Sequence, residues 1–275
     1  IRQGLGILDK GATKLNKKFM KWLKINHQSP FFAYLHYDEL HVPFRLTNPF
    51  RQLFLAPGLS YKTASKIDFR PTEFYAGISN IGAEEIEIMK SLYDQALKYT
   101  DTKIEQLVNH LKHLEILDNT ILLITSDHGE PFAENGHLGH GYFLNDTLIK
   151  VPFIINFPKL FSRKRIEELV QLTDIFPTLV EILNLETSSL SDCQGVILPP
   201  FNNRNREFII AERHKDMYSL KTKYPKLALD HMESLENDRK IAIRTRENKY
   251  IKSELGNDEL YDISEDLVDK GFFVP

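Results

Sequence analysis

Between Glu84 and Thr125 the chain runs from a long amphipathic pattern straight into an apolar one. A helix that feeds a buried strand confines it to folds in which helices cover a sheet. Met89, Tyr93, Ala96, Thr100, Ile104, Leu107, Leu111 and Leu114 step by threes and fours, the spacing that puts one face of a helix against a core. Glu84, Glu85 and Glu87 stand at its front and lysines follow later, an order that suits the helix dipole. Asp118-Asn119 then supplies a turn, and Thr120-Ile121-Leu122-Leu123-Ile124-Thr125 is a continuous β-branched-rich run, as a strand covered on both faces requires.

The same grammar extends in both directions. Upstream, Leu15, Phe19, Trp22 and Leu23 predict an amphipathic helix over residues 13–26 whose other face carries Lys14, Lys17, Lys18, Lys21 and Lys24; we read that face as solvated. Ser29-Pro30 ends it, and the aromatic run of residues 31–37 predicts a buried central strand. Residues 45–82, with Pro49, Pro57, Gly58, Pro71, Gly77 and Gly82, read as a long irregular excursion. Downstream, residues 151–156 predict a second strand, and Thr173 or Asp174 caps a helix that runs through Leu185 with Pro177 in its first turns. Past residue 199 the pattern changes to short strands at 208–211, 240–245, 249–253 and 259–263, with a hairpin turn at Glu247-Asn248.

The expected architecture is therefore an α/β domain over residues 1–199, a mixed sheet flanked by helices, followed by a small antiparallel subdomain over residues 200–275. At 275 residues and 42% hydrophobic content the chain can bury such a core. A formal charge of -3 argues against a nucleic-acid partner held by phosphate neutralisation. No window reaches the roughly 18–20 apolar residues of a membrane span. The single cysteine, Cys193, allows neither an internal disulfide nor a cysteine-based zinc site; we read it as an inert thiol. The sequence opens on Ile1 rather than Met, with lysines and no apolar signal-peptide core nearby. The expectation is that the true N-terminus lies upstream, which leaves the compartment open.

Three polar clusters stand beside the apolar runs. Ser126-Asp127-His128-Gly129-Glu130 follows the strand of residues 120–125 directly, and ligands of open α/β sheets sit at the carboxyl ends of strands. Asp127 and His128 supply one hard oxygen and one nitrogen, a pair suited to a divalent ion near an anionic substrate. Gly129 lets the backbone approach closely. The other clusters are Asp38-Glu39-Leu40-His41 and the stretch from Glu134 to Phe143, with His137 and His140. Histidines placed there suit hydrogen bonding to a tetrahedral oxyanion or protonation of a leaving group.

Taken together these runs resemble the sulfatase family of the alkaline-phosphatase superfamily. The resemblance rests on Pro30-Phe31-Phe32-Ala33-Tyr34-Leu35-His36 with His41-Val42-Pro43-Phe44, then Asp118-Asn119-Thr120 leading into Ser126-Asp127-His128-Gly129-Glu130. His137-Leu138-Gly139-His140-Gly141, Val151-Pro152-Phe153-Ile154-Ile155 and Leu172-Thr173-Asp174-Ile175-Phe176-Pro177 continue it, and Lys249-Tyr250-Ile251 with Glu259-Leu260-Tyr261-Asp262 is similar to the family's closing hairpin. The resemblance implies that Asp127 and His128 are metal ligands, with calcium the expected ion and magnesium, manganese or zinc as alternatives. It implies that His41 and His140 are catalytic and substrate-binding, with Asp38 lining the same pocket, and that the substrate is a sulfated small molecule or glycan. His137 is the other candidate for the place given to His140.

The departures are as informative. The family opens on a strand ending in paired acidic ligands, followed by a Cys- or Ser-x-Pro-x-Arg motif whose first residue matures to formylglycine. No such motif occurs here, and Cys193 has neither the Pro nor the Arg. The expectation is that the chain is the C-terminal portion of a sulfatase-like protein, inactive alone. A phosphodiesterase, phosphonate hydrolase or phosphoglycerol transferase of the same superfamily stays open beside sulfate-ester hydrolysis, as does a non-catalytic remnant. Glu212-Arg213-His214 reads as a charged strand end, and Asp258, Glu259, Asp262, Glu265 and Asp266 as solvated acids.

Overall fold

The computed structural model describes residues 9–67, 70–199, 201, 206–215 and 230–263, and packing divides the chain into two units. The first comprises Ile1–Ser126 with Pro152–Phe161, the second Asp127–Val151 with Ser162–Pro275.

In the first unit, α1 (Ala12–Asn26) lies on α4 (Ala83–His113), the long helix that the three-and-four spacing predicts. Leu23, Leu107 and Leu111 form the buried seam between them, with Phe19, Phe31, Leu35 and Leu114 packed around it. Both helix starts are capped by carboxylates. Asp9 accepts from the Gly11 and Thr13 amides at 3.1 and 2.9 Å, and Glu85 accepts from the Gly82 amide at 2.8 Å, satisfying donors that a helix leaves open at its first turn. α4 ends where Glu115 turns into the left-handed region at φ 58° and the Ile116 amide reaches back to the Leu111 carbonyl at 3.1 Å, a closure usually given to glycine. The excursion of residues 45–82 contains two short helices, α2 (Tyr61–Ala64) and α3 (Pro71–Tyr75). The Tyr61 hydroxyl ties it down, donating to the Phe44 carbonyl at 2.7 Å and accepting from the Leu46 amide at 3.1 Å.

The apolar runs of residues 120–125 and 151–156 form β1 (Leu122–Thr125) and β2 (Phe153–Asn156), paired antiparallel with Leu123 opposite Ile155 and Thr125 opposite Phe153. Here two expectations are corrected. β1 is only half-buried, and Thr125 is exposed. Residues 31–37 join no strand ladder among the described residues: Phe31 and Leu35 pack on the helices, whereas Phe32 is 84% and Tyr34 77% exposed. Burial of a strand on both faces needs covering layers on both sides, and among the described residues only the helical side of this run is covered.

The second unit is built on a four-stranded antiparallel sheet in the order β3 (Ile209–Arg213), β4 (Lys240–Arg244), β5 (Asn248–Ser253), β6 (Glu259–Asp262). The hairpin turn falls where expected, with the Thr245 hydroxyl accepting from the Asn248 amide at 2.9 Å. Along β5 burial alternates strictly, so Lys249, Ile251 and Ser253 face inward. Leu144, Ala242, Ile251, Tyr261 and Ile263 form the core of this unit. Helix α5 (Asp146–Ile149) precedes β2, and α6 (Ile175–Ile182) follows it.

Asp174, fully buried at the start of α6, accepts from the Gln171 and Val196 amides at 2.8 and 2.9 Å and from both Arg206 terminal nitrogens at 2.7 Å. Gly195 passes so close to this turn that a Cβ would stand 2.0 Å from the Thr173 carbonyl oxygen. Of the acids read as solvated, Glu259 is corrected: its side chain is largely buried against Lys240 Nζ at 3.2 Å. Glu265 and Asp266 lie outside the described residues.

Candidate active site

β1 ends at Thr125, and two residues later the chain enters the turn Asp127-His128-Gly129-Glu130. Its course is dictated at Gly129. The Gly129 amide donates to the Leu148 carbonyl at 2.7 Å, and a Cβ here would stand 2.1 Å from the Thr147 carbonyl oxygen. Only glycine lies this flat against α5.

That constraint aims the side chains on either side. Asp127 Oδ1 accepts from the His128 amide at 3.0 Å, leaving Oδ2 at 3.9 Å from His128 Nε2. His128 Nδ1 lies 2.7 Å from the Gly129 carbonyl. A carbonyl only accepts, so Nδ1 carries a proton, and the neutral tautomer this bond selects is the one with its lone pair on Nε2, which a metal-binding imidazole needs. The His140 ring stands beside it, centroids 4.4 Å apart and tilted by 32°. Between two glycines in positive-φ conformations, Gly139 at φ 68° and Gly141 at φ 129°, His140 turns its Nδ1 to Glu130 Oε2 at 3.2 Å. The hydrogen bond that His140 donates to Glu130, whose side chain is 5% exposed, raises the His140 pKa above its ordinary value against the opposing effect of burial. His137, the other candidate, stacks on Phe143 with centroids 3.8 Å apart.

The strip behind His140, Gly141 to Asp146, is gripped by cations of the C-terminal sheet. Arg213 Nε donates to the Gly141 carbonyl at 2.5 Å and its guanidinium lies over the Tyr142 ring. Lys240 lies over the Phe143 ring. Lys249 Nζ donates to the Leu144 carbonyl at 3.2 Å, and Arg244 and Lys249 both pair with the buried Asp146. Burial works against the Asp146 charge, yet Arg244 and Lys249 outweigh it and hold the carboxyl below its ordinary range. Arg213, read from the sequence as part of a charged strand end, does end β3, but it is buried and part of this support. Its signal in the sequence is weak, since one charged residue at the end of a strand does not announce a partner far upstream. Glu130 stood within the motif without a role.

His41 and Asp38 belong to the first unit. Lys10 Nζ joins them, donating to the His41 carbonyl at 2.6 Å and pairing with Asp38 Oδ2 at 3.1 Å, while His41 Nδ1 lies 2.7 Å from the Val42 carbonyl. Neighbouring Glu39 is buried, which pushes its carboxyl above the ordinary range; its Oε1 accepts from the Ala12 amide at 2.8 Å at the start of α1. An open cleft of about 270 Å³ runs along Lys10, Lys14, Lys18, His36, Asp38 and Glu39. Among the described residues no group of three or more His, Cys, Asp or Glu side chains is arranged to hold a metal ion. Asp127 and His128 thus present two donors.

Comparison with known proteins bears on what such a turn belongs to. The sulfatase family model matches residues 10–185, well over half the chain. The chain is 34% identical over 112 residues to the extracellular sulfatase SULF-1 homolog of Drosophila melanogaster, covering 41% of this chain and 10% of that protein. It is 22% identical over 278 residues to human arylsulfatase K, covering 90% of this chain and 49% of the enzyme. Among solved structures, the phosphonate monoester hydrolase of Agrobacterium radiobacter superposes with a TM-score of 0.72 at 21% identity, over 95% of this chain and 57% of that one. BT4656 in complex with its substrate D-glucosamine-2-N,6-O-disulfate gives 0.54 at 21% identity, over 76% and 42%. The chain thus spans about half the length of the relatives it matches across most of its own. With its fold shared by these structures and the family's pattern matched from residue 10 to residue 185, the chain belongs to the sulfatase family of the alkaline-phosphatase superfamily.

Proposed function

We propose that the polypeptide to which this chain belongs hydrolyses sulfate esters in the presence of a divalent metal, and that its substrate is a sulfated small molecule or glycan. The observation that carries the reading is the turn at residues 127–130, where Asp127 Oδ2 and His128 Nε2 face each other at 3.9 Å beside the His140 ring. One anionic oxygen and one imidazole lone pair fit a divalent ion. They fill two places of the six or more that calcium takes, so the fit is that of a half-site, and we assign the rest to water and to residues outside those described. A bound ion would polarise the ester and offset the charge that develops on its oxygens.

The chain's own contribution is to hold the two donors on a turn that cannot shift and to place a partly shielded histidine next to them. His140 binds the oxyanion, or protonates the leaving oxygen, through the ring nitrogen it does not give to Glu130. His41 and Asp38 are assigned to substrate binding on the family resemblance. No Cys or Ser in this sequence precedes x-Pro-x-Arg, so the nucleophile, formylglycine by that resemblance, is assigned to polypeptide outside it. A sulfated substrate is supported by the family match and by the sulfatase relatives; the structure with a glucosamine disulfate, at 21% identity, adds the fold alone. The likeness to phosphonate monoester hydrolase, at 21% identity, carries the fold alone.

A substrate panel tests the reading. The complete polypeptide, given an aryl sulfate and a phenylphosphonate monoester in parallel with calcium present, is expected to release phenol from the sulfate at the higher kcat/KM. Faster turnover of the phosphonate would move the function to the other branch of the superfamily, and turnover of neither would support a non-catalytic role. The chain of residues 1–275 alone is expected to turn over neither.

A further inference from the structure

Helix α1 carries Lys14, Lys17, Lys18, Lys21 and Lys24 and no acidic residue between Ala12 and Asn26. At 3.6 residues per turn these lysines fall within an arc of about 120°, and the buried Ala12, Asn16 and Leu23 stand on the opposite side. All five lysines are exposed. Among the described residues none of them has an acidic partner. They are a local concentration of charge in a chain whose formal net charge is -3. A helix that lies on a bilayer inserts its apolar side, and here that side is occupied by α4, against which Leu23 and Phe19 pack. The strip also has a direction. Its first turn is tied to the residues before His41: the Ala12 amide donates to Glu39 Oε1 at 2.8 Å, and Lys10 Nζ pairs with Asp38 Oδ2 at 3.1 Å. The open cleft of about 270 Å³ runs from His36, Asp38 and Glu39 along Lys10, Lys14 and Lys18. Its two acids offer an anion little opposition, since Asp38 is paired with Lys10 and Glu39 is turned inward and buried. From Lys14 to Lys24 the cations continue for about 15 Å along the helix.

We propose that the lysine face of α1 is an exosite for the chain of a sulfated glycan, which enters the cleft at Asp38 and lays its further sulfates along Lys14, Lys18 and Lys21. A small anion would engage one or two of these cations. A row of five matches a linear polyanion, whose binding is driven by the counterions it releases and weakens as salt rises. The strip thus decides between the small molecule and the glycan that the proposed function leaves side by side. The choice of a sulfated glycan among polyanions rests on that function; the charged face itself does not.

Binding is measured by calorimetric titration of the chain of residues 1–275 with size-fractionated heparin, a heavily sulfated glycan, at several sodium chloride concentrations. The wild type is expected to bind, with an affinity that falls steeply as salt rises. Lys14→Gln, Lys17→Gln, Lys18→Gln, Lys21→Gln and Lys24→Gln together keep a helix-compatible side chain at each place. This variant is expected to bind about tenfold more weakly or worse, with a flatter salt dependence. The same five positions changed to arginine are expected to keep both affinity and slope. As a control, glutamine at the exposed Lys62, Lys66, Lys112, Lys150 and Lys164 is expected to leave the affinity nearly unchanged. Equal losses in the two glutamine sets overturn the proposal, as does an unchanged affinity in the α1 set or an arginine set that binds no better than the glutamine one. Tighter binding to duplex DNA, or to vesicles of phosphatidylserine and phosphatidylcholine, than to heparin overturns it too and gives the strip to nucleic acid or to a membrane surface. The two readings fail separately. Lysine-dependent heparin binding in a complete polypeptide that hydrolyses no sulfate ester leaves the exosite standing and removes the proposed function; aryl-sulfate hydrolysis with heparin binding indifferent to α1 does the reverse.

Discussion

Lys249 is fully buried, and its ammonium stands 3.1 Å from Asp146 Oδ1, a carboxylate 103 residues earlier in the sequence. The pair joins the inner face of the C-terminal sheet to the strip that follows His140, with Tyr261 beneath the ammonium at 5.1 Å. It is therefore where the small sheet becomes part of the candidate site rather than an appendage.

Breaking this pair from the two sides should give unequal results. Asp146→Ala removes the buried carboxylate that pairs with both Lys249 and Arg244 and should lower stability by about 3–5 kcal/mol, the usual cost of breaking a buried ion pair from one side. Lys249→Met should cost less, because Arg244 still pairs with Asp146 at 2.9 Å. Urea unfolding of the two variants checks the order, and an equal or reversed ranking would contradict it.

The same carboxylate gives a pH dependence. Its folded pKa lies below the ordinary 3.8, so it binds a proton more readily unfolded than folded. Its contribution is complete above the unfolded value and is lost as the pH falls through the folded one. Between pH 5 and pH 3 the wild type should therefore lose stability more steeply than Asp146→Asn. Urea midpoints of both proteins at several pH values in that range measure the difference, and parallel curves would contradict the assignment.

Gly129→Ala tests the geometry of the turn. A Cβ 2.1 Å from a backbone oxygen cannot be accommodated by a side-chain rotation, so the turn or α5 must shift. The His128 and His140 ring resonances should move while the shifts of β4 and β5 stay in place. Unaltered histidine resonances would show that the turn is more pliant than described.

Much of this fold can be read from residue order. The threes and fours from Met89 to Leu114 specify α4, and the apolar runs specify β1 and β2, because these patterns depend on local period alone. Asp127 and His128 stood out because they follow such a run directly, and His140 was named beside His137 on spacing. The ladder expected for residues 31–37 was not legible in the same way, since pairing depends on a partner strand that the pattern of one segment does not name. Lys249 could have been read as inward-facing, for it shares the parity of Ile251 and Ser253 along β5, but nothing local pointed to Asp146. Arg213 and Glu130 likewise meet partners that only the folded loop brings near.

The residues 31–37 segment yields its own prediction. Phe32 and Tyr34 face solvent, while Phe31 packs against Phe19 and Trp22. In the chain of residues 1–275, Phe32→Ser and Tyr34→Ser should each change stability by less than about 0.5 kcal/mol. Phe31→Ala should cost about 2 kcal/mol or more. Denaturant titrations of the three variants decide it; a large loss at Phe32 would show that this face is covered.

The central claim, that the turn at Asp127 serves sulfate-ester hydrolysis, is tested most directly by the steady-state rate of aryl-sulfate hydrolysis by the complete polypeptide, wild type against Asp127→Ala, at saturating calcium. The account predicts that the wild type is active and that the substitution lowers kcat/KM by about a thousandfold, because one of the two donors is gone and the ion and oxyanion lose their common anchor. Full activity in the Asp127→Ala protein would contradict it.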